Sequence, residues 1–253
     1  MTELHISHSG GGNDGPPIVL LHGFGTDHRA WREVRPYLES DRQVLAFDLP
    51  GHGQSLGRSR SGNAGVAAKV VLQNLTDMNI EAAHLAGHSM GGAAAALMAL
   101  MAPQRVHSLT LLAPGGFGPE VNHRLLRRFA AASEEAEIAL LLEQFFGWRN
   151  PLPAGLAAEL AGMRRVEGQL AVLQDIVASL FDGDVQKMLP VEKLAAGPFP
   201  VKVVWGTQDR VLPTRQAHKL PGRIAVHIFE NAGHMLPYEI PGDVAHLIAE
   251  NAR

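Results

Sequence analysis

The sequence predicts an α/β protein, one mainly parallel sheet flanked by helices, with a helical insertion ahead of its last two strands. Three observations carry this reading. Short β-branched or leucine-rich runs recur and end in glycine-rich or polar turns; helical patterns fill the gaps between them; and residues 117–197 break the alternation with helix-like segments alone. Short apolar runs bounded by turn residues read as strands buried on both faces. Strands alternating with helices predict right-handed crossovers into a parallel sheet.

The glycine-rich stretch 10–15 reads as a turn into the first central strand. It lacks the Gly-Lys-Ser/Thr ending of a phosphate loop. Strands are expected at 18–21, 44–47, 83–86, 109–112, 201–205 and 225–229, with helices at about 29–39, 64–78, 92–101 and 242–251. The intervening stretch offers helices at 122–133, 134–146, 154–163 and 167–181 and no convincing strand. Because the strand pattern resumes at Pro200, residues 1–116 and 198–253 read as the core and 117–197 as a helical cap.

Composition narrows the function. The chain has 253 residues, 46% hydrophobic and 19% charged, an ordinary globular balance. Its net charge of −3 and the lack of any Lys/Arg block argue against nucleic acid as a partner. There is no cysteine, which excludes disulfides, thiolate metal sites and thiol catalysis. No basic stretch followed by an apolar run opens the chain, and the apolar stretch 93–102 is too short to span a bilayer. The expectation is a cytoplasmic protein without a membrane partner.

The chemistry is written most clearly at Gly87-His88-Ser89-Met90-Gly91, after a strand and before a helix. A strand-to-helix turn that projects a serine is too tight for bulky neighbours, and glycines at 87 and 91 meet that demand. A serine hydroxyl is a weak nucleophile near neutral pH and needs a base. Of thirteen histidines, His234 follows the last expected strand, so its turn opens at the same sheet edge as Ser89. Asp209 ends the preceding strand and is placed to orient the imidazole and stabilise the imidazolium; Glu230 and Glu239 are less well placed. The order along the chain is Ser89, Asp209, His234, which differs from the orders of the two best-known serine protease types. The oxyanion would be met by the backbone N–H groups of Met90 and Phe24, the latter presented by His22-Gly23-Phe24-Gly25. Asp48 reads as a brace for neighbouring loops. No His/acid spacing points to a metal, and none is expected.

Five motifs, HGFG at 22–25, DLPGHGQS at 48–55, GHSMGG at 87–92, WGTQDRVLP at 205–213 and AGHMLPYE at 232–239, resemble the α/β-hydrolase superfamily over essentially the whole chain. The resemblance implies an unaided Ser–His–Asp triad, an acyl-enzyme and no cofactor. Residues 84–92 and 102–118 are similar to the hydrolase-like domain of the acetyltransferase component of bacterial acetoin dehydrogenase complexes. The chain shows neither that component's lipoyl segment nor an H-x-x-x-D-G motif, which favours hydrolysis over acyl transfer. A second resemblance is to hydrolases that cleave carbon–carbon bonds in ring-fission products. Those have Asn and Trp where this chain has His88 and Met235, and Arg165 falls where they keep a cap arginine for a substrate carboxylate.

The expected substrate is a small carboxylic ester, thioester or lactone contacting Phe24, His88, Arg165 and Met235. Acyl transfer and carbon–carbon bond hydrolysis are the alternatives. A non-catalytic binding module is disfavoured by the complete set Ser89, Asp209 and His234. Apolar cap residues such as Leu126, Phe129, Phe145 and Trp148 would form the cap's own core and partly roof the pocket.

Overall fold

The computed structural model describes residues 3–11, 15–40 and 42–253, so the turn expected over 10–15 lies partly outside the described residues. Seven strands form one sheet: β1 (Ile6–Ser9), β2 (Ile18–Leu21), β3 (Val44–Phe47), β4 (Ala83–His88), β5 (Val106–Leu112), β8 (Val201–Gly206) and β9 (Ile224–Phe229). Their spatial order is β1-β3-β2-β4-β5-β8-β9, and every pairing is parallel except β1 with β3. The six expected strands are present, and β2 and β3 are buried at every position, as a sheet covered on both faces requires. The antiparallel edge strand β1 was not expected. Its Ile-Ser-His-Ser carries no apolar run, and backbone pairing to β3 defines it.

Helix α1 (Ala64–Asp77) starts where Asn63 accepts hydrogen bonds from Gly65 N and Val66 N. It ends in a Schellman turn: Asn79 takes a positive φ of 59°, with Ile80 N donating to Leu75 O and Asn79 N to Thr76 O. Helix α2 (Met90–Met101) follows β4 directly and buries all of its Gly91–Ala96 segment, which small side chains permit. Helix α9 (Pro241–Asn251) packs on β5 and β8, and Asn251 Nδ2 donates to Leu109 O and Thr110 Oγ1.

The helix expected at 29–39 is instead two short 3₁₀ turns, His28–Trp31 and Arg35–Tyr37. Pro36 explains the break, because it lacks a backbone N–H and disfavours the helical conformation before it. Between β5 and β8 run α3 (His123–Ala131), α4 (Glu135–Leu142), α5 (Leu156–Arg164) and α6 (Gln169–Leu180). This insertion also holds what its sequence did not announce: a hairpin of β6 (Phe181–Asp182) and β7 (Val185–Gln186), then α7 (Val191–Ala195). Two-residue strands leave no periodicity to read, and Gly183, at φ 63°, supplies the turn. Helix α4 stops four residues short of the expected end. The carbonyls beyond it are claimed elsewhere, Phe145 O by His234 N and Phe146 O by Arg210 Nη2. The short helix α8 (Leu236–Glu239) completes the set.

The sheet's C-terminal edge is built by close backbone approach. A Cβ on Gly91 would lie closer than 3.0 Å to the carbonyl oxygens of Leu21 and His22, and one on Gly87 closer than 3.0 Å to Gly91 O. Asp48, at the end of β3, braces the adjacent loops: Oδ1 accepts from His28 N (2.8 Å) and Nδ1 (2.7 Å), and Oδ2 from Gln54 N (2.8 Å). Burial pushes the Asp48 carboxyl upward, but the His28 hydrogen bonds and the nearby His22 outweigh it and hold the group at about 2.

Two measurements test these contacts. Gly91→Ala should lose about 3 kcal/mol in urea unfolding or fail to fold, because the obstructing atoms are backbone. Gly242→Ala, on open space inside α9, should stay within about 1 kcal/mol of the parent. Because the Asp48 pKa is lowered on folding, its contribution is present above the ordinary value of 3.8 and lost as pH falls toward about 2. The stability gap between the parent and Asp48→Asn should therefore narrow by about 2 kcal/mol across that window.

Candidate active site

Four loops meet at this edge. Ser89 sits between β4 and α2 with φ 53° and ψ −114°, a strained conformation that the flanking glycines and the neighbouring β2 end hold in place. It is half-buried, and its Oγ has no hydrogen-bond partner among the described residues. Met90 opens α2, so its N–H has no intrahelical acceptor. The Gly23–Phe24 turn lies alongside. A Cβ on Gly23 would be 3.4 Å from Ser89 Cβ and 2.8 Å from His88 Nδ1. Phe24 N–H makes no hydrogen bond among the described residues, and both Phe24 and Met90 border the cavity that opens at Ser89.

Asp209 and His234 are joined. His234 Nδ1 donates to Asp209 Oδ2 at 2.8 Å, which leaves Nε2 as the proton-accepting nitrogen. The other lone pairs of the carboxylate are occupied as well. Oδ1 accepts from Val211 N and Leu212 N, each at 2.8 Å, and Oδ2 also accepts from Trp205 Nε1 at 3.1 Å. Both side chains are buried. A carboxylate held this way cannot rotate without leaving buried donors unpaired, and that fixes the imidazole's orientation.

The supporting residues are largely backbone-directed. His88 Nε2 donates to His234 O at 2.8 Å, and burial lowers the His88 pKa well below 6.5, so the ring stays neutral. His22 Nε2 accepts from Leu49 N at 2.9 Å, which places the proton on Nδ1 facing Gly23 O at 2.7 Å. Burial lowers its pKa too. Glu239, set aside at the sequence level, accepts from Gly147 N, Gly233 N, Met235 N and Asn150 Nδ2. It therefore pins the His234 turn to the insertion. Its position five residues after His234 was the available signal, but the donors it gathers are main-chain groups that no residue pattern displays.

Three expected substrate contacts are placed differently. His88 is 3% exposed and Met235 also 3%; neither borders the cavity, and His88 is engaged by the His234 backbone. Arg165 is exposed at the end of α5, and its neighbour Arg164 is the one turned inward. Arg164 stacks over Phe129 at 4.3 Å and donates Nη1 to Ala132 O at 2.7 Å, while Nε and Nη2 find no partner among the described residues. Helix geometry explains the difference, since adjacent residues point about 100° apart and one position decides inside from outside. Phe24 borders the cavity. Of the apolar residues expected to roof the pocket, Leu126 does so, Phe129 and Phe145 pack in the interior, and Trp148 is exposed.

Among the described residues, one His/acid group has the spacing of a cation site. Donor atoms of His5, His28 and Asp48 lie within 4.8 Å of one another, and the His28–Asp48 hydrogen bonds already account for that closeness. No described helix is long and apolar enough to cross a membrane.

Residues 18–247 match the model of the alpha/beta hydrolase family. The chain is 37% identical over 229 residues to the "dihydrolipoyllysine-residue acetyltransferase component of acetoin cleaving system" of Pseudomonas putida, covering 90% of this chain and 61% of that relative. It thus spans less than two thirds of that protein's length. Among solved structures, a bacterial membrane phospholipase A superposes with a TM-score of 0.82 at 30% identity, over 99% of this chain and 84% of the other. A meta-cleavage product hydrolase of Pseudomonas fluorescens superposes with a TM-score of 0.85 at 21% identity, over 98% and 93%, a likeness of fold. With the strand order, the turn at Ser89 and these matches in agreement, the chain belongs to the α/β hydrolase family.

Proposed function

We propose that this protein is a serine hydrolase that cleaves a small carboxylic ester, thioester or lactone through an acyl-enzyme. The observation that carries the reading is the saturated Asp209 carboxylate holding His234 Nδ1 at 2.8 Å, with Nε2 free to act as base on the edge that presents Ser89. Ser89 Oγ attacks the carbonyl carbon and its proton passes to His234 Nε2. The oxyanion is met by the Phe24 and Met90 N–H groups, each worth roughly 10²- to 10³-fold. Collapse of the tetrahedral species returns the proton from His234 to the departing oxygen or sulfur, and water then deacylates Ser89 by the same route. In free enzymes the serine–histidine contact is often long and tightens with substrate, which fits the open Ser89 hydroxyl. Residues 117–197 act as the cap in this reading. The absence of cysteine suits a reducing compartment, and we place the protein in the cytoplasm. Acyl transfer to an alcohol or thiol, the activity suggested by the acetoin-system relative, shares the first half-reaction. Product analysis with an added thiol separates the two.

Ser89→Ala should lower kcat for p-nitrophenyl esters by roughly 10³-fold or more with the fold intact, and equal turnover would remove Ser89 from the mechanism. In Asp209→Asn, the amide oxygen can keep the Val211 and Leu212 N–H bonds. The amide nitrogen then faces His234 Nδ1 and forces the proton onto Nε2, for an expected loss of roughly 10³- to 10⁴-fold.

A second reading, carbon–carbon bond hydrolysis of a ring-fission product, would draw on the buried cation Arg164, whose Nε and Nη2 have no partner among the described residues and which sits beside Phe129 and Gly25, outside the lining of the cavity at Ser89. Burial lowers its pKa to about 10, so it stays charged at neutral pH. Under this reading Arg164→Gln should cut kcat/KM about 100-fold for a carboxylate-bearing substrate and far less for a neutral ester. Equal losses on both would leave the arginine a packing role.

A further inference from the structure

Resting on the serine-hydrolase reading, the shape of the cavity says which half of the substrate it holds. The cavity, about 260 Å³, is bordered by Ser89, Phe24 and Met90, by one face of α2, by the start of α1 and the β6–β7 hairpin, and by Val211 and Leu212. Its walls are mostly apolar, with Ala93 and Leu97 from α2, Leu126 from α3, and Leu180, Phe181 and Leu189 around the hairpin. His234 does not border it. The leaving group must lie against His234 to receive its proton, so what fills a cavity bordered by Ser89, Phe24 and Met90 but not by His234 is the acyl part.

We propose that the acyl group is an unbranched aliphatic chain of about six to eight carbons, measured along one face of α2. Met90, Ala93 and Leu97 are spaced three and four apart, which puts them on that face. At about 1.5 Å of rise per residue, Ala93 stands about 6 Å and Leu97 about 12 Å beyond Ser89. The throat is kept open by small residues. A Cβ on Gly115 would meet Ala93 Cβ at 3.5 Å and Ser89 O at 3.7 Å. An acetyl group would leave most of the apolar wall uncovered. Each buried methylene is worth about 0.8 kcal/mol, or roughly fourfold in kcat/KM.

The test is the chain-length profile of p-nitrophenyl esters from acetate to laurate. The wild type should gain at least about 100-fold in kcat/KM from acetate to octanoate and then level off or fall. Ala93→Phe, which fills the throat, should lower the octanoate-to-acetate ratio at least tenfold. Leu97→Trp, a second variant farther along, should lower octanoate relative to butyrate while leaving the butyrate-to-acetate ratio in place. A wild-type profile that is flat or falls with length overturns the proposal, as does an unchanged profile in both variants. Labelling by serine-directed phosphonates keeps the two readings apart. If a phosphonate labels wild type but not Ser89→Ala, the serine reading stands whatever the profile. If neither protein is labelled, that reading fails first. The relative labelling rates of short- and long-alkyl phosphonates give the same chain comparison without turnover, and equal rates overturn the acyl assignment.

Discussion

The first turn of α2 lies directly against the carbonyl oxygens that end β2, and no side chain fits between them. Gly91 makes this contact possible, and Gly87 allows β4 to fold back onto the same turn. Several features depend on that approach. It sets Ser89 in a conformation that few residues adopt unaided, brings the helix N-terminus beneath it, and goes with a Gly23 turn that lies against His88 and Ser89. The strain is local and the packing that supports it is extensive, so the surroundings over-determine the geometry. The alanine-rich body of α2 continues the same logic, since a helix this close to its neighbours has no room for larger groups.

A second layer of order comes from buried imidazoles and carboxylates that bond to backbone. His22 holds Leu49 N, His88 holds the His234 carbonyl, Asp48 holds His28 and Gln54, and Glu239 gathers the turn around His234. Burial keeps His22 and His88 neutral, which suits residues whose work is to position main chain. In the Asp209–His234 pair Nδ1 is engaged and Nε2 makes no hydrogen bond among the described residues, which leaves that nitrogen available to accept a proton.

The insertion is tied to this machinery through main-chain contacts. Phe145 O takes the His234 N–H, Gly147 N reaches Glu239, and Arg210 reaches the Phe146 carbonyl. Movement of the segment after α4 would therefore be felt at the His234 turn. The hairpin borders the cavity and is fastened through Gln186 to Gly116 and Gly118.

What the sequence determined by itself was the framework and the places of Ser89, Asp209 and His234 on it. Buried parallel strands are written as apolar runs because both faces are covered, and the turn at Ser89 is written as Gly-x-Ser-x-Gly because its sterics admit little else. Asp209 and His234 were legible because each follows a strand that ends at the same edge. The tertiary structure decided what depends on partners distant in sequence. β1 is a strand through its pairing with β3, α4 ends where other loops claim its carbonyls, and Glu239 matters for the main-chain donors it collects. It also decided orientation at single positions, turning Arg164 inward and Arg165 outward and drawing His88 and Met235 away from the cavity. Local patterns record periodicity and steric demand, whereas burial, hydrogen-bond partners and cavity walls arise only when separate segments meet.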